Sequence, residues 1–191
     1  MKETVVDRPK ERVLTYEDYL RLEDEKRYEL INGRLEEMPA PGFEHQDVLT
    51  LLLIKMRGYT DKKDLGKVLP APFDVILSDT VVVQPDIVFI SKKNLKNVER
   101  GRLFGTPDLV VEIVSPSSYY RDRYEKFALY EKHGVKEYWI VLPGERVIEV
   151  WCLKDGKYTL HSIAAEKGEV NSCVLKGLKV KVEEIFTAPV E

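Results

Sequence analysis

The chain has 191 residues, of which 43% are hydrophobic and 33% charged, and its formal net charge is −3. That length predicts a single domain with a real core, and the mildly acidic balance excludes a protein that coats nucleic acid by bulk charge, so any such surface must be local. No stretch reaches the ~20 apolar residues of a membrane span, the opening MKETVVDRPKERV lacks a signal-peptide core, and two cysteines, Cys152 and Cys173, make no disulfide framework; together these point to a reducing, cytoplasmic setting.

In chain order, residues 1–13 are polar and expected to be loosely docked. Thr15, with Asp18 three residues on, predicts a capped short helix through about Asp24. Asn32-Gly33, between Tyr28–Ile31 and Arg34–Met38, predicts a tight hairpin over about 27–38, which Pro39-Ala40-Pro41-Gly42 ends. From Phe43 to about Tyr59, His45, Val48, Leu49, Leu52, Met56 and Tyr59 recur at helical spacing. Residues 67–90 read as β structure. Phe73–Leu77 and Val81–Ile90 are expected as a hairpin of long strands, with Pro85 marking an edge or bulge and Val82, Gln84, Asp86 and Val88 on one face.

A polar connection over 91–106 precedes a buried strand, Asp108–Val114. Ser117 is expected to cap a helix from about Ser118 to His133, stopped by Gly134. A further buried strand covers Val135–Leu142. C-terminal strands follow over about 146–182: Arg146–Leu153, Tyr158–Ile163, Cys173–Leu175 and Leu178–Val182, with a helical turn at Glu183–Phe186. Helix, hairpin, helix, three strands, helix, strand and hairpin make a mixed α/β sheet flanked by helices.

The acids carry the chemical signal. Asp86 and Glu112 lie on consecutive strands, and a carboxylate near the end of an apolar strand is costly to bury unless it is paired or binds a cation. Two carboxylates with waters suit Mg²⁺ (or Mn²⁺), which can activate water against a phosphodiester. A second reading pairs both acids with arginines or backbone amides. Lys126 lies four residues after Asp122, so it either pairs with it or lays its stem along the apolar face and presents its ammonium to the sheet. Glu44 is favoured in a first helical turn by the helix dipole alone. His45, on the apolar stripe, is expected as a hydrogen-bonded histidine bordering the core, and Glu29 in YELI as a surface residue or the wall of a polar cleft. Zinc spacings, phosphate loops and nucleophile elbows are absent from the sequence.

The stretches YELINGRLEEMPAPGFEHQDV, LPAPFDVILSDTVVVQPDIVFI and GTPDLVVEIVSPSSYYRDRYEKFALYEKHGVKEYWIVLP resemble the Uma-two family of restriction-endonuclease-like proteins, within the PD-(D/E)XK nuclease superfamily, over about residues 14–153. The resemblance implies an αβββαβ core at about 43–142, with the N-terminal helix–hairpin and C-terminal strands as additions. It implies that Asp86, after Pro85, and Glu112 bind metal, with Glu44 the acid of the first core helix. The superfamily lysine, two residues after the second acid, is replaced here by Val114, and Lys126 on the next helix becomes its substitute. Glu29, His45, Gln84 and Asp122 are candidates to line the site, and Asp108, although it follows Pro107, is a decoy. The implied activity is Mg²⁺-dependent endonucleolytic hydrolysis of nucleic acid, DNA first, by a homodimer in the duplex case. The competing reading is an inactive nucleic-acid-binding or regulatory domain on the same fold.

Overall fold

The computed structural model describes residues 12–23 and 25–187. Most of the polar 1–13 segment, and Asp24 at the expected helix end, lie outside the described residues. Helix α1 (Tyr16–Leu20) opens on the expected capping box of Thr15 and Asp18. Strands β1 (Tyr28–Ile31) and β2 (Arg34–Glu37) form the expected hairpin, with Asn32 at φ 51° and Gly33 at φ 78°. At Gly33 a side chain would also collide with Val13, since an added Cβ would lie 2.3 Å from its Cγ1. Helix α2 (Phe43–Lys63) runs a turn beyond the expected end and buries Val48, Leu49, Leu52, Met56 and Thr60; Asp64, at φ 55°, closes it.

Seven strands follow before the next helix, β3 (Gly66–Pro70), β4 (Val75–Ser78), β5 (Val81–Val83), β6 (Ile87–Ser91), β7 (Val98–Glu99), β8 (Arg102–Phe104) and β9 (Leu109–Ile113), and β10 (Glu137–Leu142) comes after it. Helical backbone runs over 119–132, with a π turn at Arg121–Glu125 leading into α3 (Lys126–Lys132). The chain ends in β11 (Val147–Lys154), β12 (Lys157–Ala165), β13 (Glu169–Asn171) and β14 (Lys179–Lys181).

The strands form two six-stranded sheets and a two-stranded one. The first sheet has the order β2-β1-β5-β4-β8-β7 and the second β12-β11-β10-β9-β6-β3; β13 pairs with β14. In the second sheet β9 and β10 are parallel, as a crossover through α3 requires, and the other pairs are antiparallel. The order α2, β3, β6, β9, α3, β10 is the expected αβββαβ core.

Several expectations are corrected. Val81–Ile90 is not one strand, because the chain leaves the first sheet after β5 and enters the second at β6, crossing through Gln84-Pro85-Asp86. Pro85 has no N–H to give to a ladder, and it sits where neither sheet needs one. Val82 therefore packs with Leu30 and Ile76, whereas Val88 belongs to the core between the sheets. The first core strand is β3 rather than Phe73–Leu77, and the polar connection holds a small hairpin, β7 and β8, beyond the turn at Lys92–Asn97. Residues Cys173–Leu175 are a turn, the strand lying instead at Glu169–Asn171. Cys152 and Cys173 are disulfide-bonded, against the expectation of reduced thiols.

Alternation along β9 divides the core. Leu109, Val111 and Ile113 face α2 and the C-terminal segment, where Trp139, Val180 and Phe186 pack. Val110 and Val114 face α3 and the first sheet, with Tyr130, Tyr138, Val75 and Leu103. Glu112 shares this second face by the period of two, so its carboxylate enters the seam between the sheets. Among the described residues no helix is long and apolar enough to cross a membrane.

Candidate active site

Where the chain crosses from one sheet to the other, a cleft of about 270 Å³ opens between the Met38–Gly42 connection, the start of α2 and the segment Ser115–Lys126. Asp86, Glu112, Asp122 and Lys126 line it, with His45 and Arg121. Lys126 is fully buried at its centre. Its Nζ donates to Glu112 Oε1 at 2.9 Å and to Glu29 Oε1 at 2.8 Å, and Asp122 Oδ1 lies 3.8 Å away. Tyr130 Oη donates to the same Glu112 Oε1 at 2.6 Å. Asp86 Oδ2 accepts the backbone N–H of Ile113 at 2.7 Å and meets His45 Nε2 at 3.1 Å.

Local backbone places these groups. Asp86 sits on the crossing itself, so its side chain is held against β9 by the Ile113 amide. The helix after β9 begins at 119, one residue later than expected, and Ser117 does not cap it. Instead the Ser115 and Ser118 hydroxyls each accept the other residue's N–H, at 3.2 and 3.0 Å, closing the turn. In the π turn the Lys126 N–H bonds to Arg121 O, five residues back. Asp122 O, which would take that bond in an α-helix, accepts instead from Tyr138 Oη at 2.8 Å. The wider turn keeps Asp122 and Lys126 both facing the cleft, and Tyr130 one turn on completes the row.

The electrostatics follow from burial. Burial pushes the Glu112 carboxyl up to about 8; Lys126 opposes this, while Asp122, Asp86 and Glu29 add to it. Asp122 is raised for the same first reason, its burial, against Lys126. For Lys126 burial works against the charge, but Glu112, Glu29 and Asp122 outweigh it and hold the ammonium firmly protonated. Burial also disfavours charged His45, yet its bond and proximity to Asp86 raise it.

The sequence-derived candidates divide clearly. Asp86, Glu112, Lys126, His45 and Asp122 come together at the cleft. Glu29 belongs to the cluster too, but as a fully buried residue and not a surface one, because β1 is covered on both faces. Gln84 stands behind it, giving its backbone N–H to Glu29 Oε1 at 2.7 Å and its side-chain amide to Asp74 at 2.9 Å. Glu44 is exposed and does not line the cleft, its neighbour His45 turning inward in its place. Tyr130 and Arg121 were not singled out from sequence as site residues. The signal for Tyr130 was the row Asp122, Lys126, Tyr130 at steps of four, which places three polar groups on one helical face.

The donors present suit a hard divalent ion. The hydrogen bonds to Glu112 all fall on Oε1 and those to Asp86 on Oδ2, leaving Glu112 Oε2 and Asp86 Oδ1 open among the described residues. Asp122 Oδ1 and Glu29 Oε2 are buried with no hydrogen-bond partner, although Arg121 Nε and Lys126 Nζ lie 3.6 and 3.8 Å from Asp122 Oδ1 as ion pairs.

The αβββαβ core between its flanking helices is the restriction-endonuclease-like fold. A solved structure from Anabaena variabilis, described as a "putative nuclease belonging to DUF820", is similar with a TM-score of 0.74 and 18% identity, over 91% of this chain and 97% of that one. Residues 16–183 match the Uma2 family, described as "Putative restriction endonuclease", and the chain belongs to that family. Restriction-endonuclease-like proteins generally use divalent metal ions. No curated protein sequence matches the chain significantly.

Proposed function

We propose that this protein is a Mg²⁺-dependent endonuclease that hydrolyses phosphodiester bonds in DNA. The observation that carries the reading is the Lys126 ammonium bonded to one oxygen of Glu112 while the other oxygen, and one of Asp86, carry no hydrogen bond in residues that line the cleft. Asp86 Oδ1 and Glu112 Oε2 are the ligands assigned to the ion. When bound, the ion supplies a water acidic enough to be deprotonated near neutral pH and neutralises charge on the phosphate.

The chain's own groups do the rest. Tyr130 and Lys126 fix Glu112 so that its open oxygen keeps one orientation. The Ile113 amide and His45 fix Asp86 in the same way. Lys126, at the cleft floor, orients the attacking water and offers positive charge where it develops on the phosphate. Arg121, on the wall, pairs through Nε with Asp122 Oδ1 at 3.6 Å, and we assign the rest of its guanidinium to receive a phosphate oxygen. Glu44, exposed outside the cleft, is given no ligand role.

Calorimetric titration with Mn²⁺, with a DNA cleavage assay on the same samples, tests the reading. The native protein should bind the ion and cut DNA, and Asp86→Ala should do neither. If the native protein binds no divalent ion and leaves DNA intact, the inactive binding-domain reading replaces this one.

A further inference from the structure

Glu29 is the fully buried acid of the cluster that the proposed chemistry leaves without a task. It lies on β1, in the first sheet and outside the αβββαβ core, and it does not line the cleft. Its Oε1 takes two bonds, from Lys126 Nζ at 2.8 Å and from the Gln84 backbone N–H at 2.7 Å. Its Oε2 is buried with no hydrogen-bond partner. Neutrality does not require it, because Glu112 already stands 2.9 Å from the same ammonium and Asp122 3.8 Å away. A further carboxylate buried there carries a desolvation cost, so stability alone does not account for it.

Geometry gives it a task. An ammonium has three N–H donors. Glu112 Oε1 alone would leave the Lys126 ammonium free to turn about that bond, whereas Glu112 and Glu29 together fix two donors and hence the direction of the third. The fastening of Glu29 matters as well. The Gln84 N–H that holds it belongs to the crossing Gln84-Pro85-Asp86, two residues from the Asp86 carboxylate assigned to the ion, and the fixed φ of Pro85 stiffens the link between them. Glu112, the other assigned ligand, is on β9. The ammonium is thus tied at once to both segments that carry the ligands.

From this we infer that Glu29 is a positioning residue, which aims the third N–H of Lys126 at the attacking water and so brings the first sheet into the catalytic centre. The inference rests on the nuclease reading for the reaction and adds a residue that acts on it through Lys126, touching neither metal nor substrate. A misplacement of about 1 Å in such a group costs about 100-fold in rate.

The experiment compares Glu29→Met, which keeps the side chain's length and removes the acceptor, with Glu29→Gln, which keeps an acceptor oxygen and removes the charge. The first readout is DNA cleavage with Mn²⁺, per folded molecule. Glu29→Met should lose about 100-fold in kcat with KM for DNA unchanged, and Glu29→Gln should recover most of the rate. The second readout needs no turnover. It is the ¹H–¹⁵N resonance of the Lys126 ammonium in EDTA, assigned by its loss in Lys126→Met. That resonance should be resolved in the native protein and in Glu29→Gln, and broadened or missing in Glu29→Met. Circular dichroism checks folding. Should Glu29→Met not fold, Glu29→Asp takes its place, since it keeps the charge but is one methylene too short to meet both donors.

An unchanged rate and resonance in Glu29→Met overturn the inference, because an acid that only supports the fold would cost stability and nothing else. Equal losses in Glu29→Met and Glu29→Gln overturn it too, since charge and not the bond would then be what counts. The two readings fail separately. A native protein that leaves DNA intact while its ammonium resonance depends on Glu29 sinks the nuclease reading and leaves the positioning of the lysine, whereas cleavage indifferent to Glu29 does the reverse.

Discussion

Strand β9 is flanked at its start by Asp108 and carries Glu112 near its end, and the two acids have opposite surroundings. Asp108 is saturated: Oδ2 accepts the Ser91 N–H at 2.8 Å and the Asn94 side chain at 2.8 Å, and Oδ1 pairs with Lys136. Burial disfavours its charge, but those donors win and hold it below the usual carboxylate range. Glu112 keeps one oxygen without a hydrogen bond and is pushed up to about 8 by burial and its acidic neighbours. Four residues apart, one acid fastens a strand to the loop and turn beside it, and the other is left short of positive charge. A buried acid is therefore not a site by virtue of burial. Glu137 makes the same point on β10, where Trp139, Ser172 and Val174 donate to its two oxygens. The unfilled one marks the candidate centre.

The contrast can be broken most forcefully at the lysine. Lys126→Ala removes the cation shared by Glu112, Glu29 and Asp122, and breaking a buried pair of this kind costs about 3–5 kcal/mol. Urea denaturation should show that loss together with the end of DNA cleavage. Asp108→Asn comes next, at about 1.5–3 kcal/mol for weakened charge-assisted bonds, with Mn²⁺ binding unchanged in calorimetry. If Asp108→Asn abolished metal binding, the division of labour along β9 would be wrong.

The smallest effect is a slope. Asp108 has a lowered folded pKa, so its contribution is present above the usual carboxylate range and lost as pH falls through and below about 4. Glu112 has a raised one, so its contribution is present below its ordinary value of 4.5 and lost as pH rises to about 8. Stability differences between native protein and Asp108→Asn, and between native protein and Glu112→Gln, should therefore run in opposite directions across pH 3–9 in EDTA. Parallel slopes would show that the two acids share one environment.

Much of the scaffold could be read from sequence, because local rules govern it. The Asn32-Gly33 turn, the Thr15 cap, the apolar stripe of α2 and the buried run before Glu112 each depend on residues a few positions apart. The Asp86, Glu112 and Lys126 grouping was also legible, through resemblance joined to strand and helix placement. What stayed hidden depends on distant partners or on backbone irregularity. An apolar run such as Val81–Ile90 does not say that its halves pair in different sheets. The π turn adds no residue type of its own, so a helix expected from about Ser118 gives no sign of it. Glu29 looked like a surface residue because alternation in YELI cannot show that β1 is covered on both faces. Glu44 and His45 are adjacent, and only the seating of α2 decides which of them turns inward.

Glu29 and Lys126 are separated by 97 residues of chain. Their bond ties the first sheet to helix α3, the crossover of the second, and neither unit can supply it alone. A contact this remote forms only when a large loop closes, at a cost in chain entropy. During synthesis Glu29 emerges long before the ammonium that it will hold, and until the sheets dock both charges are solvated and ordinary. The crowded carboxylates and the raised Glu112 thus come into being together, when the two parts meet. A chain that has folded either part alone has not assembled the candidate centre, which arrives with the finished protein.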